Sequence, residues 1–253
     1  MDSITRGSDC EFGLMDGGHL VSALEVYGDT VETYPEGRVF ADNMNVEIAI
    51  DPVTDLATFH RYTEALLQTI KDKGFELHPG PVLNYPDVYL DDPAALISGC
   101  MPDFCAYTGE ENVAPDFASL GTSTRTLGAH VHASLGGARP DWYARWMDIL
   151  VALPLLSHED PSERRSMYGG PGCYREKPYG GEYRTLSSFW VQDEDLRTFI
   201  WNATNKAVAL SATTDPSTVA EWWEIPQAIA AHDLALAERC FDRLYIYGLE
   251  VTS

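Results

Sequence analysis

Apolar residues recur at three- and four-residue spacing along four stretches of the chain, the period that gathers them on one face of a helix. Over residues 55–73 they are Leu56, Phe59, Leu66, Leu67 and Ile70, with Thr54 placed as an N-cap and Gly74 as a C-terminal stop. Residues 140–153 carry Trp142, Trp146, Ile149 and Leu153 on one face, and Pro140 suits a first helical turn. Residues 194–210 carry Leu196, Ile200 and Ala203. Residues 217–244 are helix-like, and Pro226 predicts their division into two helices. These stripes predict core burial, not chemistry.

Four shorter stretches alternate with period two, so that residues i and i+2 share a face of a strand. In 9–12, Asp9 and Glu11 oppose Cys10 and Phe12. In 43–50, Asn43, Asn45 and Glu47 oppose an apolar face of Met44, Val46, Ile48 and Ile50. In 128–135, His130, His132 and Ser134 oppose Val131, Ala133 and Leu135. In 182–184, Glu182 and Arg184 share a face. Any one of these reads as a half-buried strand with a polar outer side. The residue types set them apart: a solvent face mixes Lys, Thr, Ser and Glu, whereas these supply carboxylates, two histidines and an arginine. Side by side in one sheet they would form a wall of oxygen and imidazole ligands, suited to hard cations that also hold substrate phosphates.

The chain has 253 residues, 45% hydrophobic and 22% charged, the composition of an ordinary globular protein. No repeat or linker stands out, so one domain over 1–253 is expected, with a helical C-terminal part at about 194–244. The formal charge is −22, which repels nucleic acid and anionic lipid. No stretch approaches the roughly 18 apolar residues of a membrane span, and no secretory signal is visible at the N-terminus, so a cytoplasmic location is expected. The five cysteines form no C-x-x-C pair and read as reduced thiols. Against the acidic background, Arg164, Arg165, Arg175, Lys177 and Arg184 form a basic island. An acidic half and a basic island suit a site with divalent cations on one wall and phosphate on the other.

The stretches GSDCEFGLMDGGHLVSA (7–23), ADNMNVEIAI (41–50), GCMPDFCAYTG (99–109), GAHVHASLG (128–136) and RRSMYGGPGCYREKPYGGEYRTLSSFW (164–190) occur in that order. Together they resemble the glutamine synthetase-like carboxylate-amine ligases, in particular the phage-type amidoligases called COOH.NH2 ligase type 2. The resemblance implies an α+β fold: an antiparallel-rich β-sheet with a concave polar face, backed by helices, like the catalytic domain of glutamine synthetase. It implies an E-x-E strand giving one carboxylate to each of two metal ions, with Asp9 and Glu11 at the matching places and Asp substituting for the first Glu. It implies Glu47, His130 and Glu182 as further metal ligands, with Asn43 a neighbour. His132 and Ser134 would contact ATP. Arg164, Arg165 and Arg175 lie where the family keeps phosphate-binding arginines, and Arg165 and Arg184 are expected to stabilise the migrating phosphoryl group. The implied cofactors are ATP and Mg²⁺ or Mn²⁺. The implied partners are a carboxylate and an amine, small molecules or peptides, with no nucleic acid or membrane; a homo-oligomer and, for a phage protein, the host cytoplasm are further expectations.

Two other readings use the same residues. A His-x-His strand with Glu182 as third ligand would hold zinc and make a metal-dependent hydrolase, which leaves the arginine island without a role. A non-catalytic interaction scaffold would bind no nucleotide and would tolerate Glu47→Gln and His132→Ala.

Overall fold

The computed structural model describes residues 4–97, 102–113, 122–161, 163–219 and 222–246. In chain order the strands are β1 (Arg6–Asp16), β2 (His19–Val21), β3 (Glu32–Tyr34), β4 (Gly37–Asp42), β5 (Asn45–Val53), β6 (Glu76–His78), β7 (Val82–Asn84), β8 (Phe104–Cys105), β9 (Thr124–Thr126), β10 (Ala129–Ser134), β11 (Cys173–Lys177) and β12 (Gly180–Tyr183). The helices are α1 (Ala23–Tyr27), α2 (Leu56–Asp72), α3 (Pro140–Met147), α4 (Arg164–Met167), α5 (Glu194–Ser211), α6 (Glu224–Ala231) and α7 (Leu234–Ile246). The fold is α+β, as expected.

Ten strands form one sheet in the order β3-β4-β5-β1-β10-β12-β11-β8, with β2 and β6 paired to the far end of β1. Every pairing is antiparallel. The four alternating stretches of the sequence become consecutive neighbours, β5, β1, β10 and β12. Two tight hairpins help to set this order. At the β4–β5 turn Asn43 takes φ 57, a conformation Asn tolerates better than most side chains. At the β11–β12 turn, a Cβ on Gly180 would lie 2.2 Å from the Ala133 carbonyl oxygen and 2.8 Å from Leu135 N of the neighbouring strand, so only glycine fits.

One side of the sheet is apolar and buried. Cys10, Phe12 and Leu14 of β1, Val46, Ile48 and Ile50 of β5, and Val131 and Ala133 of β10 join one core with side chains of α2, α3 and α5. On α2, Phe59, Leu66, Leu67 and Ile70 are buried, each worth about 1.5–3 kcal/mol relative to exposure. Met44 departs from the expected alternation. The turn at Asn43 precedes β5, and Met44 packs instead with Leu83, Tyr85, Ala95 and Leu127 in a second, smaller cluster.

The helices lie where the apolar period places them, with different boundary devices. Asp55, not Thr54, caps α2 by accepting from Thr58 N at 2.9 Å, and Gly74 follows its end at φ 95. After α3 the chain makes one wider turn, Asp148–Ala152, closed by Leu153 N donating to Asp148 O at 2.9 Å. Pro226 does not divide the C-terminal helices. It sits in the first turn of α6, where its missing N–H costs nothing, and the break falls at His232, which adopts φ 50. Cys10, Cys105 and Cys173 are free thiols, and Cys100 lies outside the described residues. Among the described residues no helix is long and apolar enough to cross a membrane.

Candidate active site

Strand register brings the candidate residues to the polar side of the sheet. Glu11 stands opposite Glu47, Asp9 opposite His130, and His132 opposite Glu182, which in turn stands opposite Arg175. Partners across an antiparallel pair share a face, so these side chains project together. They resolve into two groups whose ligand atoms lie within 4.8 Å of one another: Asp9, His132 and Glu182, and Glu11, Asp42 and Glu47. Strand β1 supplies one carboxylate to each, because residues i and i+2 are roughly 6.6 Å apart on the same face.

The electrostatics of the two groups differ. In the Glu11 group, burial and the neighbouring Asp42 charge push Glu11 up to about 8, against the Gly128 N–H that donates to its Oε2 at 2.8 Å. Burial, with the charges of Asp9, Asp42 and Glu11, holds Glu47 well above the usual carboxylate range, and burial raises Asp42 as well. In the Asp9 group, burial pushes Asp9 up, but hydrogen bonding and charge from His132, with Lys177 and Arg184 beyond, outweigh it and leave Asp9 lowered. His132 Nε2 lies 3.1 Å from Asp9 Oδ2, and its Nδ1 meets the Tyr179 hydroxyl at 2.5 Å.

Glu182 is completely buried and surrounded by cationic donors. Arg184 Nη1 donates to it, Lys177 Nζ lies at 2.7 Å and Arg175 Nη1 at 3.3 Å. Arg184 is itself held by Asp103, whose Oδ2 accepts from Nε at 3.0 Å and whose Oδ1 accepts from Asn112 at 2.8 Å. The ring of Tyr168 lies 5.3 Å from the Arg184 guanidinium.

The donor set suits a hard divalent cation. It offers five carboxylates and one imidazole, and oxygen-rich sets favour Mg²⁺ or Mn²⁺ over zinc. The raised carboxylates of the Glu11 group mark burial first and mutual repulsion second, and a dication would offset both.

The remaining expected residues take distinct positions around these groups. His132, not His130, completes the group with Asp9 and Glu182 among the described residues. His130 is buried, with Nδ1 3.2 Å from Arg184 Nη1 and 3.4 Å from Glu182 Oε1, and burial with the Arg184 and Arg164 charges holds its pKa well below the ordinary imidazole range. Ser134 Oγ accepts from Thr5 N at 2.9 Å. Arg164 does not take the expected phosphate-facing position. It is fully buried and donates to the carbonyls of Leu127, Thr185 and Leu186, because the loops that meet there leave carbonyls without strand partners. Arg165 is likewise drawn away from the two groups, paired with Glu159 and bonded to Ile229 O on α6 at 3.2 Å. Asn43 is not a metal neighbour. Its amide donates to the carbonyls of Ala95 and Ile97 at 2.7 and 2.8 Å, and its oxygen accepts from Arg125.

Asp42, Asp103 and Tyr179 enter the site without having been singled out for it, while Lys177 enters from the basic island. The DNMN turn was the signal for Asp42, since a tight hairpin returns residue 42 beside Asn45 and next to Glu47 on the same face. Asp103 carried no such signal, being separated from Arg184 by 81 positions.

The model of the phage phiEco32-like COOH.NH2 ligase-type 2 family matches residues 94–221. A search of the curated proteins finds no match. The matched span contains Asp103, His130, His132, Arg175, Glu182 and Arg184, one wall of the site, while Asp9, Glu11, Asp42 and Glu47 precede it and complete the other. The match takes in half of the chain, and by it the chain belongs to the phage phiEco32-like COOH.NH2 ligase-type 2 family.

Proposed function

We propose that this chain is a carboxylate-amine ligase that spends ATP to join the two through an acyl phosphate. In the first step a carboxylate oxygen attacks the γ-phosphorus and ADP leaves. In the second the amine nitrogen attacks the acyl carbon, inorganic phosphate leaves, and the amine gives up a proton. Phosphoryl transfer asks for in-line positioning and neutralisation of oxygen charge more than for covalent help from the protein. Mg²⁺ or Mn²⁺ held by Asp9, His132 and Glu182, and by Glu11, Asp42 and Glu47, would supply that neutralisation.

The residues of the chain do the rest. Arg184 is aimed by Asp103 and by Glu182, so its planar fork meets the reacting oxygens already oriented. Arg175 and Lys177 add positive charge beside Glu182. Tyr179 orients the His132 ring through its Nδ1 contact. The substrates fitting this scheme are a carboxylate and an amine, small or peptide-borne.

The observation that carries the reading is the division of Asp9 and Glu11, two residues apart on one strand, between two ligand groups beside a cluster of three cations. Thermal unfolding of the metal-stripped protein tests it. Mg·ATP at about 100 times its dissociation constant adds roughly 2.7 kcal/mol of stability, and Glu47→Gln loses that gain. ADP release with carboxylate and amine pools then follows. A response to Zn²⁺ alone would favour the hydrolase, for which Asp9, His132 and Glu182 form a three-ligand set.

A further inference from the structure

Two cysteines face each other at the edge of the sheet. In the antiparallel register of β8 and β11, Cys105 stands directly opposite Cys173. Both main-chain N–H groups are engaged away from the pair: Cys105 N donates to Glu110 O at 2.9 Å and Cys173 N to Gly170 O at 3.2 Å. The flanking Ala106 N donates across to Gly172 O at 2.9 Å. The two cysteines therefore form a non-hydrogen-bonded pair, the kind in which opposed Cα atoms approach to about 4.5 Å and both side chains leave on one face. A disulfide needs Cα atoms about 4.4–6.8 Å apart, so the two sulfurs can be joined with little movement of either strand.

The pair is tied to Arg184 by two routes. The Cys173 thiol hydrogen-bonds to Asp103, the carboxylate that holds Arg184 Nε at 3.0 Å, and Asn112 Nδ2 lies 3.5 Å from the Cys173 sulfur and 2.8 Å from Asp103 Oδ1. Along the main chain, the Cys173 carbonyl accepts from Arg184 N at 2.9 Å. The two thiols differ in access. Cys105 is half-buried and Cys173 buried, so an oxidant reaches Cys105 first. Burial also pushes the Cys173 thiol up, which keeps its proton available to Asp103 in the reduced protein.

We propose that Cys105 and Cys173 are an oxidation site, closing to a reversible disulfide that loosens the hold of Asp103 on Arg184. Only the effect on turnover rests on the ligase reading. With hydrogen peroxide as the oxidant, the Cys105 sulfur attacks one peroxide oxygen, the O–O bond breaks, and a sulfenic acid forms as the first water leaves. The Cys173 sulfur then attacks the Cys105 sulfur, the S–O bond breaks, and the hydroxide departs with the Cys173 proton as the second water. Two thiols lose two electrons between them and one peroxide gains them. Asp103 is left without its thiol donor, and the Cys173 sulfur is drawn towards Cys105, so the carboxylate is no longer fixed on the side away from Arg184.

Peptide mapping by mass spectrometry tests the bond. The full chain is treated with stoichiometric hydrogen peroxide, and the remaining thiols are blocked with N-ethylmaleimide in denaturant. The expected product joins the peptides of Cys105 and Cys173 with the loss of two hydrogens, and dithiothreitol reverses it. Cys105→Ser, at the half-buried position, should not form it. A bond from Cys105 to Cys100 instead, or Cys105 passing on to sulfinic acid while Cys173 is still blocked by maleimide, overturns the proposal. Phenylglyoxal, which adds to guanidinium groups, tests the link to Arg184, which is 4% exposed in the fold. Its labelling of Arg184 should be about three- to tenfold faster in the oxidised protein than in the reduced one, and unchanged by peroxide in Cys105→Ser. Equal labelling of the two forms overturns the link. Turnover, read as ADP release, should fall with oxidation and return with dithiothreitol. A chain that shows the cross-link and the faster labelling but releases no ADP in either form supports this proposal and removes the ligase reading.

Discussion

Glu11 and Glu47 stand directly opposite one another across β1 and β5, on the polar side of the sheet, with Asp42 close enough to share a ligand group with both. Burial and mutual repulsion raise both Glu11 and Glu47 above the ordinary carboxylate range, and a carboxyl held above its unfolded value opposes folding near neutral pH. In the metal-free protein Glu47→Gln is therefore expected to raise stability by about 1 kcal/mol, a shift of roughly 2–4 °C for a chain of this size. The same variant should lose the stabilisation that Mg²⁺ or Mn²⁺ confers on the wild type. Paired melting curves with and without the ion check both halves; a variant that melts lower and still responds to Mg²⁺ would refute the repulsion.

Asp148 gives the sheet's other side a pH dependence. It lies fully buried on the wide turn after α3, accepting from the hydroxyls of Tyr183 at 2.5 Å and Tyr107 at 2.9 Å. Burial outweighs those bonds and raises its pKa from 3.8 to about 7. Between these values the native state holds a proton that the unfolded chain releases. Its contribution to stability is then complete below about pH 4 and declines as pH rises to about 7, by at most about 1.4 kcal/mol per pH unit. Denaturant titrations at several pH values should show Asp148→Asn gaining on wild type across that window and running parallel to it above. Parallel curves throughout would mean that Asp148 is ionised in the fold.

Arg184 depends on Asp103 for its aim. Asp103→Asn can keep the Asn112 contact through its one oxygen but then sets an NH2 donor against Arg184 Nε, so the charged bond is lost and Arg184 should wander. ADP release under saturating Mg·ATP is expected to fall about tenfold in Asp103→Asn, and at least as far in Arg184→Lys, which loses the planar fork. Unfolding temperature should fall less in proportion. Unchanged turnover in both variants would remove this pair from the chemistry.

Gly128 leaves room for a histidine. A Cβ there would come within 2.5 Å of His130 Nε2, so Gly128→Ala must push the ring away from Arg184 and Glu182. The cost is expected to be about 1–3 kcal/mol. In a His130→Ala background the same change should cost little, because the obstacle is gone. A double-mutant cycle measured by unfolding gives the coupling directly, and additivity would sink this account.

Much of the site was legible along the chain. Asp9 with Glu11, Glu47, and the His130–His132 pair could be assigned to polar strand faces because a strand's alternation is local, needing only the residue and its neighbours two positions away. The helix over α2 was legible for the same reason, with Asp55 rather than Thr54 as its cap. Arginines were the least legible. Arg164 and Arg184 lie within the same basic island, yet one closes backbone carbonyls and the other meets Glu182 and Asp103. Nothing in a guanidinium's sequence neighbourhood says which acceptors will reach it.

The sequence by itself determined the apolar and polar faces of each strand and helix, and with them the kinds of ligand the sheet could display. Only the tertiary structure decided that β5, β1, β10 and β12 lie in that order, that His132 and not His130 joins Asp9 and Glu182, and that Asp42 completes the group with Glu11 and Glu47. The reason is range. Periodicity follows from backbone geometry repeated over a few residues, whereas the order of strands and the allocation of donors to acceptors depend on contacts between segments far apart in sequence, 36 positions for Glu11 with Glu47 and 121 for Asp9 with His130, where competing partners are chosen by packing.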